Sequence, residues 1–200
     1  MITIYNIAEQ CRAILGKGNI QELVQASKNA YATAVKNSWY EGKNDGVSEL
    51  NGSFVYTFKD IKPILDIELD MYYIVVPSSF IGLPHNMGIN LVSFMKGQDK
   101  TFAMLGTGVY GMISNLKSFA LGGRQAYYIE GTRMYFPKMK KTDIEIKGET
   151  RGILLKMAIA LDDVDVDEQL NIPSNIQDEI VTLVVNKYRE KPKEIADTLS

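Results

Sequence analysis

The chain has 200 residues, 46% of them hydrophobic and 23% charged, a balance that sustains a packed core. Its formal net charge of −2 leaves no global basic field to hold a polyanion, so tight sequence-independent binding of nucleic acid is not expected. A single cysteine excludes an intrachain disulfide, and a single histidine, His85, excludes a His-rich metal site.

At the N-terminus, "MITIYNIAEQC" lacks a basic n-region and a continuous apolar core, so no signal peptide is expected. No apolar run reaches the ~18 residues that span a bilayer. Ile4, Ile7, Ala8, Cys11, Ile14 and Leu15 recur at helical spacing. Thr3 is placed to cap that helix, and Gly16 and Gly18 to end it. Cys11 falls within the apolar run and reads as a small core residue rather than a nucleophile. A second helix is predicted from about Ile20 to Trp39, with Leu23, Val24, Ala30, Tyr31, Ala34 and Val35 on one face. The turn chemistry of "EGKNDG" breaks that pattern.

The period then changes. "SFVYTFK", "LDMYYIVV", "INLVSFM", "QAYYIE", "RMYFPK", "DIEIKG" and "ILLKMAIAL" are short, β-branched or aromatic, with Gly, Pro, Asn or Asp between them. "YYIEGTRMYFP" predicts a hairpin through Glu130-Gly131, and "KMKKTD" a polar turn. Strand following strand at short spacing predicts antiparallel pairing. At the C-terminal end, "IPSNIQDEIVTLVVNKYREK" carries a capping box, with Ser174 as N-cap and Gln177 three residues on. Its apolar stripe is Ile176, Ile180, Leu183, Val184 and Tyr188. The whole reads as α+β: N-terminal helices and a C-terminal helix with a mainly antiparallel β block. We expect a single domain over 1–200, helical at about 1–45 and 170–200 and β-rich at about 50–165.

Four motifs carry possible chemistry. "LGTGVYGMISN" sets Gly106, Gly108 and Gly111 as G-x-G-x-x-G, with Glu130 beyond it, the spacing of a dinucleotide-binding fingerprint. Such a site needs a parallel βαβ unit, whereas Glu130 sits at a predicted hairpin. The glycines therefore read as a loop that meets a neighbouring subunit or a DNA path. In "LDDVDVDE", Asp163, Asp165 and Asp167 match the first three ligand positions of a calcium loop. Glu168 stands where that loop needs Gly, and Ser174 where it needs Glu, so a turn with one solvated, acidic face is expected, and Asp163, Asp165 and Asp167 are candidates to line a subunit interface or a passage for DNA, which their charge would keep from sticking. His85, in the loop "VPSSFIGLPHNMGI", has no Ser or Cys partner at a known spacing and reads as a turn residue. "KMKK" (Lys138 to Lys141) reads as a solvated basic loop. No catalytic residue, cofactor or metal is assigned.

Taken together, "MYYIVVPSSFIGLP", "YYIEGTRMYFP", the long strand after it and "LNIPSNIQDEIVTLVVNKYRE" resemble the head-to-tail adaptor (ring) proteins of short-tailed bacteriophages. The likeness is greatest to the connector ring proteins of crAss-like phages. In that family a strand ends in a proline-bearing loop, an I-E-G-x-R-x-Y-F-P-like hairpin follows, and I-P-x-x-[IF]-Q-D-x-I opens a late helix ending in Tyr. The resemblance covers about 70–190. It implies a virion structural protein, not an enzyme, that forms a homo-oligomeric, dodecameric ring at the head–tail junction. Such a ring binds the portal and other tail proteins, passes double-stranded DNA through its lumen and meets no membrane. Tyr128 to Phe136 correspond to the family hairpin and Pro173 to Tyr188 to its helix, while "LGTGVYG" corresponds to nothing in the family. The alternatives are a nucleotide-dependent enzyme built on Gly106, Gly108 and Gly111, or another minor capsid or tail component.

Overall fold

A computed structural model of the chain describes residues 2–44, 52–83, 88–95, 101–106, 125–146, 148–162 and 164–190. The fold is α+β, and the chain divides into two compact units: one from 1–55, 80–88 and 159–200, the other from 56–79 and 89–158.

The first unit is helical. Helix α1 (Ile4–Leu15) starts at Thr3, whose Oγ1 accepts from the Asn6 N–H at 3.1 Å, and ends at Gly16, whose left-handed backbone lets its N–H reach the Arg12 carbonyl at 2.9 Å. Ile4, Ile7, Ala8 and Cys11 form its buried face. Ile14 belongs to the predicted stripe but is 51% exposed, because the helix end leaves the core before it. Helix α2 (Ile20–Asn44) opens under Asn19, whose Oδ1 accepts from the Gln21 N–H at 2.9 Å. It continues past Trp39 through Gly42, so the local turn chemistry of "EGKN" yields to helix propagation. Its buried residues include Leu23, Ala26, Ala30, Tyr31, Ala34, Val35 and Trp39. Helix α4 (Ser174–Glu190) packs on both, burying Ile176, Ile180, Val184 and Val185. Asn37 on α2 donates to Glu179 on α4 at 2.8 Å, and Tyr31 meets Phe54 edge-on. An isolated bridge joins Ile2 to Leu170.

The second unit is built from strands β1 (Val55–Ile61), β2 (Ile64–Asp66), β3 (Met71–Val75), β4 (Ile89–Phe94), β5 (Ala103–Met104), β6 (Ala126–Glu130), β7 (Arg133–Phe136), β8 (Glu145–Ile146), β9 (Glu149–Thr150) and β10 (Ile153–Ala158). A one-turn helix, α3 (Lys141–Ile144), precedes β8. It takes Asp143 and Ile144 out of the strand predicted over "DIEIKG", because the Asp143 carboxylate accepts from the Lys140 N–H at 2.9 Å and closes a turn. The strands form a three-stranded sheet β1-β10-β4, a five-stranded sheet β2-β3-β7-β6-β5 and the two-stranded β8-β9. The predicted hairpin is β6–β7: Glu130 lies opposite Arg133, and Gly131, at φ 59°, supplies the left-handed residue of the two-residue turn. One pairing departs from expectation. β5 runs parallel to β6, Ala103 opposite Ala126 and Met104 opposite Tyr127, so the block is mainly but not wholly antiparallel. The core between the two larger sheets carries Phe94, Phe102 and Phe136 in successive edge-on contacts at 5.1 and 5.7 Å.

At the end of β1, Asp60 adopts a left-handed backbone (φ 59°), which aspartate tolerates better than most residues. Its backbone lies directly over Gly152. A β-carbon at Gly152 would stand 2.5 Å from the Asp60 Cα and 2.8 Å from its carbonyl carbon. Gly152→Ala is therefore expected to lower stability by about 1–3 kcal/mol through overpacking, read as a lower urea midpoint. An unchanged midpoint would show that β1 can retreat.

Candidate functional site

A connected set of ring and hydrogen-bond contacts lies on one face of the five-stranded sheet. Register places Tyr73 opposite Tyr135, and Tyr135 opposite Tyr128, on three neighbouring strands. Their rings follow one another at 5.6 and 5.3 Å, the second pair stacked at 17°. Leu105, Ala126, Tyr128 and Tyr135 form a buried cluster against which Met71 and Tyr73 pack. At one end of this row the Arg133 guanidinium lies over the Tyr73 ring, 4.6 Å from its centroid, and Nη1 donates to the Tyr135 hydroxyl at 3.4 Å. The opposite face presents Tyr127, whose hydroxyl burial pushes up to about 12, so it stays a neutral phenol at physiological pH.

Arg133 also ties the sheet to the β2–β3 hairpin. Its Nη1 donates to Asp66 Oδ2 at 3.3 Å. The other carboxylate oxygen, Oδ1, accepts from the backbone N–H groups of Glu68 at 3.2 Å and Leu69 at 3.3 Å. One aspartate thus braces the turn and fastens it to β7. Beyond the brace, Ile64, Leu65, Ile67 and Leu69 are exposed, Ile67 by 87%. Beside the turn lies a groove of about 800 Å³, lined by Leu65, Asp70, Tyr72, Pro137, Met139 and the lysines at 138, 140 and 141. The three lysines are exposed and Met139 is buried, so "KMKK" is a solvated basic loop on an apolar floor.

A second cavity, about 540 Å³, adjoins Asp60, Lys62, Glu149, Arg151 and Gly152. Its two cations are engaged. Lys62 donates to Asp60 Oδ1 at 2.7 Å and to the Thr150 carbonyl at 2.9 Å. Arg151 lies 4.0 Å over the Phe94 ring and donates to the Asp143 carbonyl at 3.3 Å. These contacts fasten β9 and α3 to the three-stranded sheet.

The residues singled out from sequence fall in separate places. Of the fingerprint glycines, Gly106 follows β5 and is exposed, while Gly108 and Gly111 lie outside the described residues. Asp163 and His85 also lie outside them. Asp165 and Asp167 are exposed in a turn in which Asp165 Oδ1 accepts from the Asp167 N–H at 3.2 Å, and Val164 is buried. One anchor of this loop has no local signal in the sequence. Lys28, nine-tenths buried on α2, sends its ammonium to the Val164 carbonyl at 2.8 Å and the Asp162 carbonyl at 3.3 Å. The loop carbonyls therefore receive a cation from the chain itself. Among the described residues, no group of three His, Cys, Asp or Glu side chains is placed to hold a metal.

At α4 the capping box is replaced by a related arrangement. Ser174 is the first helical residue, the Pro173 carbonyl accepts from the Gln177 N–H at 3.0 Å, and Gln177 Nε2 donates to the Ile172 carbonyl at 2.7 Å. Proline preceding the first turn displaces the cap by one position. Leu183 is half-buried at the mouth of a shallow groove against α2, so the stripe centres on Ile180 and Val184, with Val185 beside them. Tyr188 is also half-buried, and partial desolvation together with Glu22 raises its pKa. Cys11 is buried, which raises the pKa of its thiol despite the opposing Ser27 hydroxyl, as expected of a core residue.

No family model and no curated protein matches this sequence. Among the described residues, no helix is long and apolar enough to cross a membrane.

Replacing Lys28 by methionine keeps the apolar stem and removes the donor to both carbonyls. Stability is expected to fall by about 2 kcal/mol, the scale of a charge-assisted hydrogen bond, measured by chemical denaturation. An unmoved midpoint would show that the ammonium does not hold the acidic loop.

Proposed function

We propose that this chain is a structural ring protein of the head–tail junction of a short-tailed bacteriophage, assembling with copies of itself and with the portal around the DNA path. The observation that carries the reading is the joint presence of "YYIEGTRMYFP" and "LNIPSNIQDEIVTLVVNKYRE" on one chain, the two stretches by which it resembles such rings. The first folds as the β6–β7 hairpin in the interior of the five-stranded sheet, and the second ends in α4, which opens just after Pro173. Both are stable, packed elements on which a repeated assembly can be built. The braced and exposed β2–β3 turn supplies a further apolar contact of the kind that subunit interfaces bury. A ring closes only through a contact between two different patches whose rotation returns to the start.

A nucleotide-dependent reading has one observation in its favour. β5 and β6 are parallel, Gly106 follows β5, and Glu130 ends β6, which is the strand order of a dinucleotide fingerprint. Against it, β5 is a two-residue edge strand, and Glu130 is paired opposite Arg133 in a hairpin.

The purified chain, alone and mixed with the portal of the same virion, is expected to give closed oligomers by native mass spectrometry. A virion reconstruction is expected to place it at the collar. A chain that neither oligomerises nor binds portal or tail proteins overturns the ring reading. Isothermal titration with NAD and NADP is expected to give no heat, and saturable binding would establish the nucleotide reading instead.

A further inference from the structure

The five-stranded sheet ends at β2, which pairs with β3 alone. Among the described residues, no backbone hydrogen bond reaches the other side of β2. Such an edge is a row of open N–H and C=O groups, and proteins ordinarily guard it with a lysine, a proline, a bulge or a solvated charge in the strand. β2 is short, yet it lacks each of these guards. Its register with β3 runs without a shift, and Pro63 lies before the strand rather than in it. Its one charge is turned back into the fold. The Asp66 carboxylate accepts from the Glu68 and Leu69 N–H groups and from Arg133. Lys62, just before the strand, is committed to Asp60 and to the Thr150 carbonyl. What the edge presents is apolar on both faces. Ile64 stands opposite Tyr73 and so continues the row of Tyr128, Tyr135 and Tyr73, while Leu65 stands opposite Tyr72 on the other face. Tyr128 and Tyr135 are buried, but Ile64 and Leu65 are 48% and 44% exposed. The apolar layer thus runs to the end of the sheet and stops at an open backbone.

We propose that β2 pairs antiparallel with β2 of a second copy, joining two five-stranded sheets into one of ten strands. The chemistry of the edge selects this occupant. Antiparallel pairing asks the same of both strands, so an edge open in one copy is open in the other, and the contact is isologous. The two-fold axis stands perpendicular to the sheet, so each face continues as itself. Full overlap of the two three-residue strands centres the axis on Leu65, which meets Leu65 of the second copy, with Ile64 opposite Asp66 on the tyrosine face. Neither strand brings a free charge to the pair, so the contact is held by backbone hydrogen bonds and apolar cover. Three residues a side make it a weak contact. It pairs copies and is separate from the head-to-tail contact that closes a ring. It rests on the β2 edge alone and not on the ring reading.

Sedimentation equilibrium and amide hydrogen exchange of the isolated chain test it together. The wild type is expected to dimerise as its concentration rises to roughly the millimolar range, and exchange over residues 64–66 should slow in step. Added salt should leave the dimer in place, since no ion pair holds it. Ile64→Lys and Leu65→Lys, each at a side chain already half-exposed, should weaken the dimer by about tenfold or more while keeping the thermal transition of the monomer. A wild type that stays monomeric at the highest attainable concentration overturns the proposal. So does a dimer whose 64–66 amides exchange as fast as those of the monomer, or one indifferent to both lysine variants. A dimer that salt dissolves is held by charge, and the edge pairing is then wrong. A chain that pairs through β2 yet never binds portal or tail proteins retains this inference and removes the ring reading. Closed, portal-bound rings whose β2 amides stay unprotected do the reverse.

Discussion

The register that sets Tyr73, Tyr135 and Tyr128 side by side is the constraint on which the second unit rests. Side chains alternate across a sheet, so a slip of one residue would exchange its two faces. Here that exchange would take Ile74, Met134 and Phe136, all fully buried, out of the core and replace them with tyrosines and Arg133. Each face holds the other in place: the edge-on phenylalanine contacts on one side, the stacked tyrosines on the other. With register fixed, Arg133 reaches both Tyr135 and Asp66, and the β2–β3 turn acquires its shape. Ile67, the most exposed large apolar side chain among the described residues, thus sits on a turn braced by Asp66. Exposure there comes with order.

The helical unit solves a different problem. In its acidic loop the Val166 carbonyl accepts from the Tyr5 N–H at 3.3 Å, and the carbonyls at 162 and 164 face α2, where Lys28 supplies the donors. A lysine ammonium in a nine-tenths buried position costs desolvation, and two carbonyls offset part of that cost by direct hydrogen bonds. The arrangement resembles a metal loop in one respect only: oxygens converge on a cation. The cation is covalently part of α2, so the loop is set when the helix packs.

What the sequence disclosed and what it hid divide along one line. Elements whose signals are local were legible: Thr3 and Gly16 at the ends of α1, the Glu130-Gly131 turn, the apolar stripe of α4. Elements made by distant partners were not. β2 and β5 have three and two residues, too few to show a period, and exist because β3 and β6 offer them an edge. No local pattern marks Lys28, since its partner lies 136 residues away. The side-chain pattern of the 163–167 run shows its acids, whereas its anchoring runs through backbone carbonyls, which no side-chain pattern reports. The Asp60–Gly152 approach was equally hidden, because nothing in "RGILL" reveals which backbone will lie over its glycine.

The glycine-bearing segment shows the same division in its most consequential form. Local spacing matches a cofactor cradle and the hairpin at Glu130 argues against one; the sheet holds a parallel pair and a hairpin side by side. Strands β5 and β6 are parallel, and a parallel pair needs a connection of a dozen residues or more, which two adjacent antiparallel strands do not. Residues 105–125 are that connection. A segment of this length is accounted for by topology before any ligand is invoked. Glu130, whatever its distance from Gly111 in sequence, lies opposite Arg133 across the β6–β7 turn. The end of its strand belongs to the hairpin, and the hairpin belongs to the tyrosine register that orders the rest of the sheet.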